Sequence, residues 1–299
     1  MAQRDGQGRS KESLESFLRD SGTQFGQDRQ SRHLTFVFRR LLDRVFHSQQ
    51  SDLQLKGGMA LRMRTQDARF TRDLDLTSQE LTLSEMSELI SIQAQIDLED
   101  SLKFEVVNIE RLGEISTQPF REGAKLTLNY SWGGAVSPTK LRVDTVRDKI
   151  PFAPNSPTSG LLEPPLGLPA SQIKLFALPH QIAQKVCGCL EVHSGQPSSR
   201  AKDLVDLVII SKSFKVDREE LIQALAFEFG HRNLIMPQVF APNPTLLQRY
   251  TAVKKTARQL SLPEKPDQAV ALVNSLLGLD GGVASKSTWD PALAKWVDK

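Results

Sequence analysis

Two aspartates one residue apart, Asp73 and Asp75, are the sharpest chemical feature of the chain. In an extended strand, side chains at i and i+2 leave the same face. The pair therefore presents two carboxylates together, while Leu74 and Leu76 turn inward. Charges so close repel, and a divalent cation is the usual relief. Mg²⁺ takes oxygen ligands from a few carboxylates and fills its shell with water and substrate phosphates, and Mn²⁺ suits the same donors. A solvent-facing acidic strand would carry the same triplet, so the surroundings must decide.

Upstream, Gly57-Gly58 stands at an expected strand-to-helix turn. Bare of side chains, such a turn lets backbone N–H groups approach an anion, and a helix beginning at Met59 would add its positive end. A Gly-Gly pair alone is more often just a turn. Followed by the paired aspartates, it acquires a functional geometry in which the glycines hold phosphates and the carboxylates hold the metal bound to them. A third acid, Asp144, lies in Leu141-Arg142-Val143-Asp144 and shares a strand face with Val146. Three acids would support two metal ions, one activating an attacking hydroxyl and one stabilising a pyrophosphate leaving group. The alternative for Asp144 is a charge pair with Arg142 or Arg147.

The periodicities around these residues supply the elements that must position them. Ser10 to Leu18 and Arg32 to Phe46 have helical spacing, the second with Leu34, Phe38, Leu41, Leu42 and Val45 on one stripe. Leu53 to Lys56 and Asp73 to Leu76 predict strands on either side of a helix, and Leu83 to Ile96 predicts a helix crossing back over the sheet. Phe104 to Ile109 continues the sheet, and Lys125 to Tyr130 with Lys140 to Val146 flank a Gly-Gly turn as a hairpin does. Proline and glycine then crowd the stretch from Pro151 to Pro169, where periodicity fails. Beyond it, Ile173 to Leu178 predicts a strand, and Pro179 suits the first turn of a helix over Gln181 to Val192. Lys202 to Lys212, Arg218 to Phe229, Thr245 to Leu260 and Asp267 to Leu277 predict further helices. The expected organisation is an α/β (α+β) bilobed molecule: a lobe with a mixed sheet over 1–155, a linker over 156–170 and a mostly helical lobe over 171–299.

Composition narrows the class without choosing a chemistry. At 299 residues, with 39% hydrophobic and 24% charged residues, the chain can bury a core or two, which excludes wholesale disorder. No window approaches the roughly 20 apolar residues of a bilayer span, and the first residues are polar without an apolar signal core, so a cytoplasmic protein with no membrane partner is expected. Cys187 and Cys189 are too few for a disulfide framework and lack the further ligands of a zinc site, so both are expected as small buried side chains. A net charge of +3 permits a polyanionic partner without requiring one. Arg39, Arg40, Lys254, Lys255 and Arg258 could meet an RNA backbone, but solvated helix faces are the plainer expectation.

The run from Leu55 through Gly57-Gly58 to Leu61, with Arg69-Phe70-Thr71-Arg72-Asp73-Leu74-Asp75-Leu76, closely resembles the first signature of the AbiEii/AbiGii toxin family of nucleotidyltransferases, within the DNA polymerase β superfamily. Gln181-Ile182-Ala183-Gln184-Lys185 and Arg200-Ala201-Lys202-Asp203-Leu204-Val205-Asp206-Leu207 resemble its downstream motif, most of all in the MenT branch. The resemblance implies a polymerase-β-like amino lobe and a helical carboxy lobe. It also implies a toxin that transfers nucleotides from a nucleoside triphosphate to RNA, tRNA 3′ ends above all, and that a co-encoded antitoxin neutralises. Carried onto this chain, Gly57 and Gly58 match the phosphate turn, Asp73 and Asp75 the metal acids, Lys185 the helical lysine facing the triphosphate, and Asp206 and Asp203 the downstream acids. Arg69, Arg72 and Arg200 become candidate phosphate contacts. Position 59 departs from the pattern, holding Met59 where many superfamily members have serine. Two other functions compete on the same residues: transfer to a protein or small-molecule hydroxyl, and a silent module that binds nucleotide or antitoxin.

Overall fold

The computed structural model describes residues 10–21, 28–115, 118–148, 157–158, 162–164, 167–193, 195–257 and 261–299. Helices α1 (Lys11–Asp20) and α2 (Arg29–Val45) precede a βαβ passage of β1 (Gln54–Lys56), α3 (Gly57–Arg64) and β2 (Asp73–Ser78). Then come α4 (Leu83–Gln93), β3 (Leu102–Ile115), β4 (Gln118–Trp132), the short β5 (Ala135–Val136) and β6 (Leu141–Asp148). The sheet runs in the order β1-β2-β6-β4-β3, with β5 paired to β4. It is mixed because β2 and β6 are parallel, while β1/β2, β4/β6 and β3/β4 are antiparallel. The parallel pairing sets Asp75 directly opposite Asp144. Alternation does the rest: Leu74, Leu76, Leu141 and Val143 point into the core, and the acids leave by the other face.

Helix α2 starts on a cap, with the Asp28 side chain accepting from the Ser31 N–H at 2.8 Å. Its apolar stripe is buried as the spacing predicts, but so is its charged side. Arg39 and Arg40 lie neither on a solvated face nor within reach of an RNA, because they are buried in an ionic cluster. Asp43 binds Arg39 at 2.9 Å and Arg40 at 2.6 Å, and Asp100 binds Arg40 at 2.6 Å and Arg44 at 2.7 Å. Arg40 also donates to the Pro169 carbonyl and Arg39 to that of Ser171, so the chain returning from the Pro/Gly-rich stretch closes over the helix. Much of that stretch, including 151–156, lies outside the described residues. Within it, β7 (Pro157–Thr158) pairs with β8 (Ile173–Lys174), and the amino-lobe core gathers residues as far as Leu175.

The second core belongs to the helices α5 (Leu178–Leu190), α6 (Ala201–Ser213), α7 (Arg218–His231), α8 (Pro244–Lys254) and α9 (Pro266–Leu277). Pro179 sits in the first turn of α5, where a missing N–H costs nothing. A two-stranded ladder of β9 (Val192–His193) and β10 (Gln196–Pro197) joins α5 to α6. Cys187 and Cys189 are free and buried here, as expected of small apolar side chains. Sequence periodicity misses the sheet that finishes this lobe, in which β11 (Val216–Asp217) pairs with β12 (Ser287–Asp290) and β12 with β13 (Lys295–Asp298). The buried Trp289 of β12 anchors it, donating from Nε1 to the Ser211 carbonyl at 2.7 Å. Leu61 and Ala68, from either side of the α3 end, contribute to this second core, so the lobes meet next to the Gly-Gly turn.

Candidate active site

Helix α3 begins at Gly57, two residues before the sequence suggests, and Gly57 takes a φ of +68°. Two constraints coincide there. The left-handed backbone favours glycine, and a methyl at this position would overlap the Asp75 carboxylate outright, its carbon 2.7 Å from Cγ. The bare turn thus lets an aspartate of β2 stand against the start of a helix. Gly58 lies close to Thr71 and Arg69, and the Gly57 carbonyl accepts from Gln181 Nε2 at 2.9 Å, tying the turn to α5. Met59, where many superfamily members have serine, is fully buried in the amino-lobe core, so here the position packs and does not line the cleft.

A cleft of about 630 Å³ lies between the lobes, lined by Gly57, Gly58, Asp73, Asp75 and Asp144 on one side and by Lys185, Arg200 and Asp203 on the other. Asp75 and Asp144 are both perturbed. Burial pushes the Asp75 carboxyl up and Asp73 adds to it, against the pull of Lys56 and Lys185. Asp144 is raised by burial and by repulsion from Asp75 and Asp73, against Lys125 and Lys56. Like-charge repulsion of this sort is what a divalent cation removes, and three carboxylates are hard oxygen donors of the class that Mg²⁺ and Mn²⁺ take. As they stand, no three such side chains among the described residues converge on one point tightly enough to hold an ion.

Across the cleft, the lysine that the residues alone would leave as an exposed helix position is buried. Lys185 Nζ reaches Asp206 at 2.6 Å and Asp203 at 3.1 Å. Burial pulls its pKa down, but Asp206 and Asp203 outweigh burial and raise it above the ordinary lysine value, so the ammonium stays charged at neutral pH. Each acid also holds an arginine: Asp206 binds Arg69 at 2.9 Å and Asp203 binds Arg200 at 2.5 Å. Burial pushes the Asp203 carboxyl up, but Lys185 and Arg200 bring it below its ordinary value. Asp206 is fully buried and does not line the cleft, so it is a positioning residue beneath Lys185 and Arg69. The result is a network from α5 and α6 that aims fixed positive charge at the acids of the sheet.

Arg72 is the one predicted contact that this cleft does not receive. It lies in a bend just ahead of β2, and its exposed side chain lines an adjoining cavity. Several cleft residues escaped sequence reasoning. Lys56 pairs in register with Asp75 and was legible as the residue before the turn. Gln184, Glu191 and Arg232 also line the cleft, and Arg232, bound to Glu191 at 2.6 Å and Glu228 at 3.0 Å, comes from the end of α7 with no motif to announce it. Lys254 of the basic group pairs with Glu264 at 2.6 Å, and Arg258 lies outside the described residues.

A mixed sheet carrying paired aspartates, a glycine turn opening a helix beside them, and a helical lobe presenting a lysine define the class of polymerase-β-like nucleotidyltransferases. The family model of the nucleotidyl transferase AbiEii toxin of type IV toxin–antitoxin systems matches residues 40–279, and the chain belongs to that family. Among solved structures, the chain is similar to MenT4, a nucleotidyltransferase toxin from Mycobacterium tuberculosis H37Rv. The TM-score is 0.59 at 14% identity, covering 91% of this chain and 90% of that one. JHP933 from Helicobacter pylori matches with a TM-score of 0.42 and 14% identity over 80% of this chain and 90% of that one. At such identities the MenT4 likeness speaks for the fold. No curated protein sequence matches the chain. No helix among the described residues is long and apolar enough to cross a membrane.

Proposed function

We propose that this protein is a toxin that transfers a nucleotide from a nucleoside triphosphate to the 3′ end of tRNA in the cytoplasm. Extension of that end blocks aminoacylation and so translation, and a cognate antitoxin protein holds the activity in check. One observation carries the chemistry: Asp73, Asp75 and Asp144 face Lys185 and Arg200 across a single cleft whose turn is Gly57-Gly58. Membership of the toxin family supports the biological setting.

In the reaction, the oxygen of the acceptor hydroxyl attacks the α-phosphorus. An O–P bond forms as the bond from that phosphorus to the β-bridging oxygen breaks, pyrophosphate leaves, and the hydroxyl proton passes to a carboxylate or to water. Backbone N–H groups at the start of α3 receive phosphate oxygens, with the helix's positive end behind them. Lys185, held charged by Asp206 and Asp203, balances the charge that gathers on the pyrophosphate, and Arg69 and Arg200 are fixed by the same two acids. Asp73, Asp75 and Asp144 would hold Mg²⁺ or Mn²⁺. When bound, the cation supplies Lewis-acid polarisation of the reacting phosphate and relief of the carboxylates' mutual repulsion.

Incubating the protein with each labelled triphosphate in turn, Mg²⁺ and total tRNA tests this. Label should appear at tRNA 3′ ends, disappear with a chelator and return with Mg²⁺ or Mn²⁺. Label that resists nuclease but yields to protease would assign the acceptor to protein. Absence of transfer from any of the nucleotides would overturn the proposal.

A further inference from the structure

Beside the cleft opens a second cavity of about 510 Å³, and Arg69, Thr71, Asp73 and Lys202 line both. The two spaces therefore meet at one of the paired carboxylates. A transfer reaction has two substrates, and the entering hydroxyl must reach the α-phosphorus in line with the bond that breaks, from the side away from the pyrophosphate. If the triphosphate fills the first space, the acceptor needs another approach that ends at the same acids.

The charge balance of the second cavity differs from that of the first. In the cleft, Lys185, Arg69, Arg200 and Arg232 are each tied to buried acids. Arg72, which lines the second cavity alone, and Lys202, at the junction of the two, are exposed and make no ion pair among the described residues. The wall also carries two acids, Asp73 and Asp28, the second holding its charge while it caps α2. Exposed cations that are not held in ion pairs can still attract a polyanion to a concave surface, since binding releases the counterions condensed on its phosphates. Between them the cavity carries apolar surface from Phe70, half-buried ahead of β2, and from Val253 of α8. Phe70 packs partly on the amino-lobe core, and an aromatic surface left open beside exposed cations is one on which a single-stranded base stacks.

The geometry points to this cavity as the subsite for the 3′-terminal strand of the RNA acceptor. Arg72 and Lys202 bind its last phosphates, Phe70 takes its terminal base, and its hydroxyl arrives at Asp73. The assignment rests on the RNA-transfer function proposed above and gives that function its second substrate site.

Arg72→Ala is the cleaner probe, because Arg72 is exposed and does not line the nucleotide cleft. Phe70→Leu keeps apolar volume while removing the ring. In steady-state transfer, each should raise the KM for tRNA about tenfold while the KM for the triphosphate holds. Binding of a short single-stranded RNA with a free 3′-hydroxyl to the full chain, followed by fluorescence anisotropy over a salt series, gives a readout independent of chemistry. There Arg72→Ala should weaken binding and lower the slope against log salt by about 0.7, the value for one phosphate contact on a single strand. If the wild type labels RNA but both variants keep its tRNA KM and salt slope, this subsite is wrong and the proposed function stands. A triphosphate KM rising in step with that for tRNA would reassign the cavity to the nucleotide. Should the wild type label protein and bind no RNA, both assignments fall.

Discussion

Replacing Gly57 with alanine tests the site at its tightest point. The new methyl carbon would lie 2.7 Å from Asp75 Cγ and 3.1 Å from its Cβ, and would overlap Oδ2 outright. Because the whole side chain is crowded, relief moves the carboxylate by on the order of 1 Å, a misplacement that costs about 100-fold in rate at a reacting centre. That factor corresponds to about 2.7 kcal/mol of lost transition-state stabilisation. A second cost is purely local: alanine at a φ of +68° pays about 1–2 kcal/mol of backbone strain, which lowers Tm by roughly 2–8 °C. Gly134→Ala separates the two, since Gly134 has a φ of +80° and a methyl there meets nothing within 4 Å. It should show a similar Tm loss with transfer within about twofold of wild type. The assay is initial-rate nucleotidyl transfer below both melting temperatures, alongside thermal unfolding. Transfer by Gly57→Ala within about fivefold of wild type would refute the claim that this turn and Asp75 form one catalytic unit.

Two further perturbations probe the networks behind the site. Lys185→Ala should reduce transfer about 10²–10³-fold, as loss of a preorganised charge facing the leaving group does. It should destabilise by less than the about 3–5 kcal/mol of a broken buried pair, because Asp206 keeps Arg69 and Asp203 keeps Arg200; kcat and Tm measured on the same preparation check both halves. Asp100→Asn leaves Arg40 and Arg44 buried together without their shared carboxylate, so a loss of about 3–5 kcal/mol is expected by urea unfolding at neutral pH. Burial pushes the Asp100 carboxyl up, but hydrogen bonds and charge from Arg44 and then Arg40 bring it below its ordinary value. A carboxyl depressed on folding contributes stability above its unfolded pKa of about 4 and loses it as pH falls through the folded value. The gap between wild type and Asp100→Asn should therefore narrow below about pH 4, and a gap that widened there would contradict the assigned direction.

What the sequence revealed and what it hid divide along the reach of the forces involved. The placement of Asp73 and Asp75 on one face follows from the two-residue period of a strand, a property settled within four residues. Arg72 stands just before β2, outside that two-residue period, so the strand does not fix where its side chain goes. The partner of Asp75, in contrast, is fixed by the parallel register of β2 with β6, which sets it opposite Asp144. A pattern of Leu141 and Val143 shows which face Asp144 takes but not which strand it meets. Charged residues were harder still, because a single sequence makes every arginine look solvated. Arg40 is buried because Asp100 approaches from a distant segment, and Lys185 because two acids of the next helix close around it. The β12–β13 ladder failed for a related reason: each strand has four residues, and what orders them is β11, some seventy residues earlier in the chain, together with the socket that Trp289 fills above Ser211. Local periodicity thus finds the strand that carries the acids, while Lys185 and Arg69 are held at the cleft by ion pairs to Asp203 and Asp206 of another element. A variant that severs one of these long-range pairs should damage the site while leaving every local pattern intact.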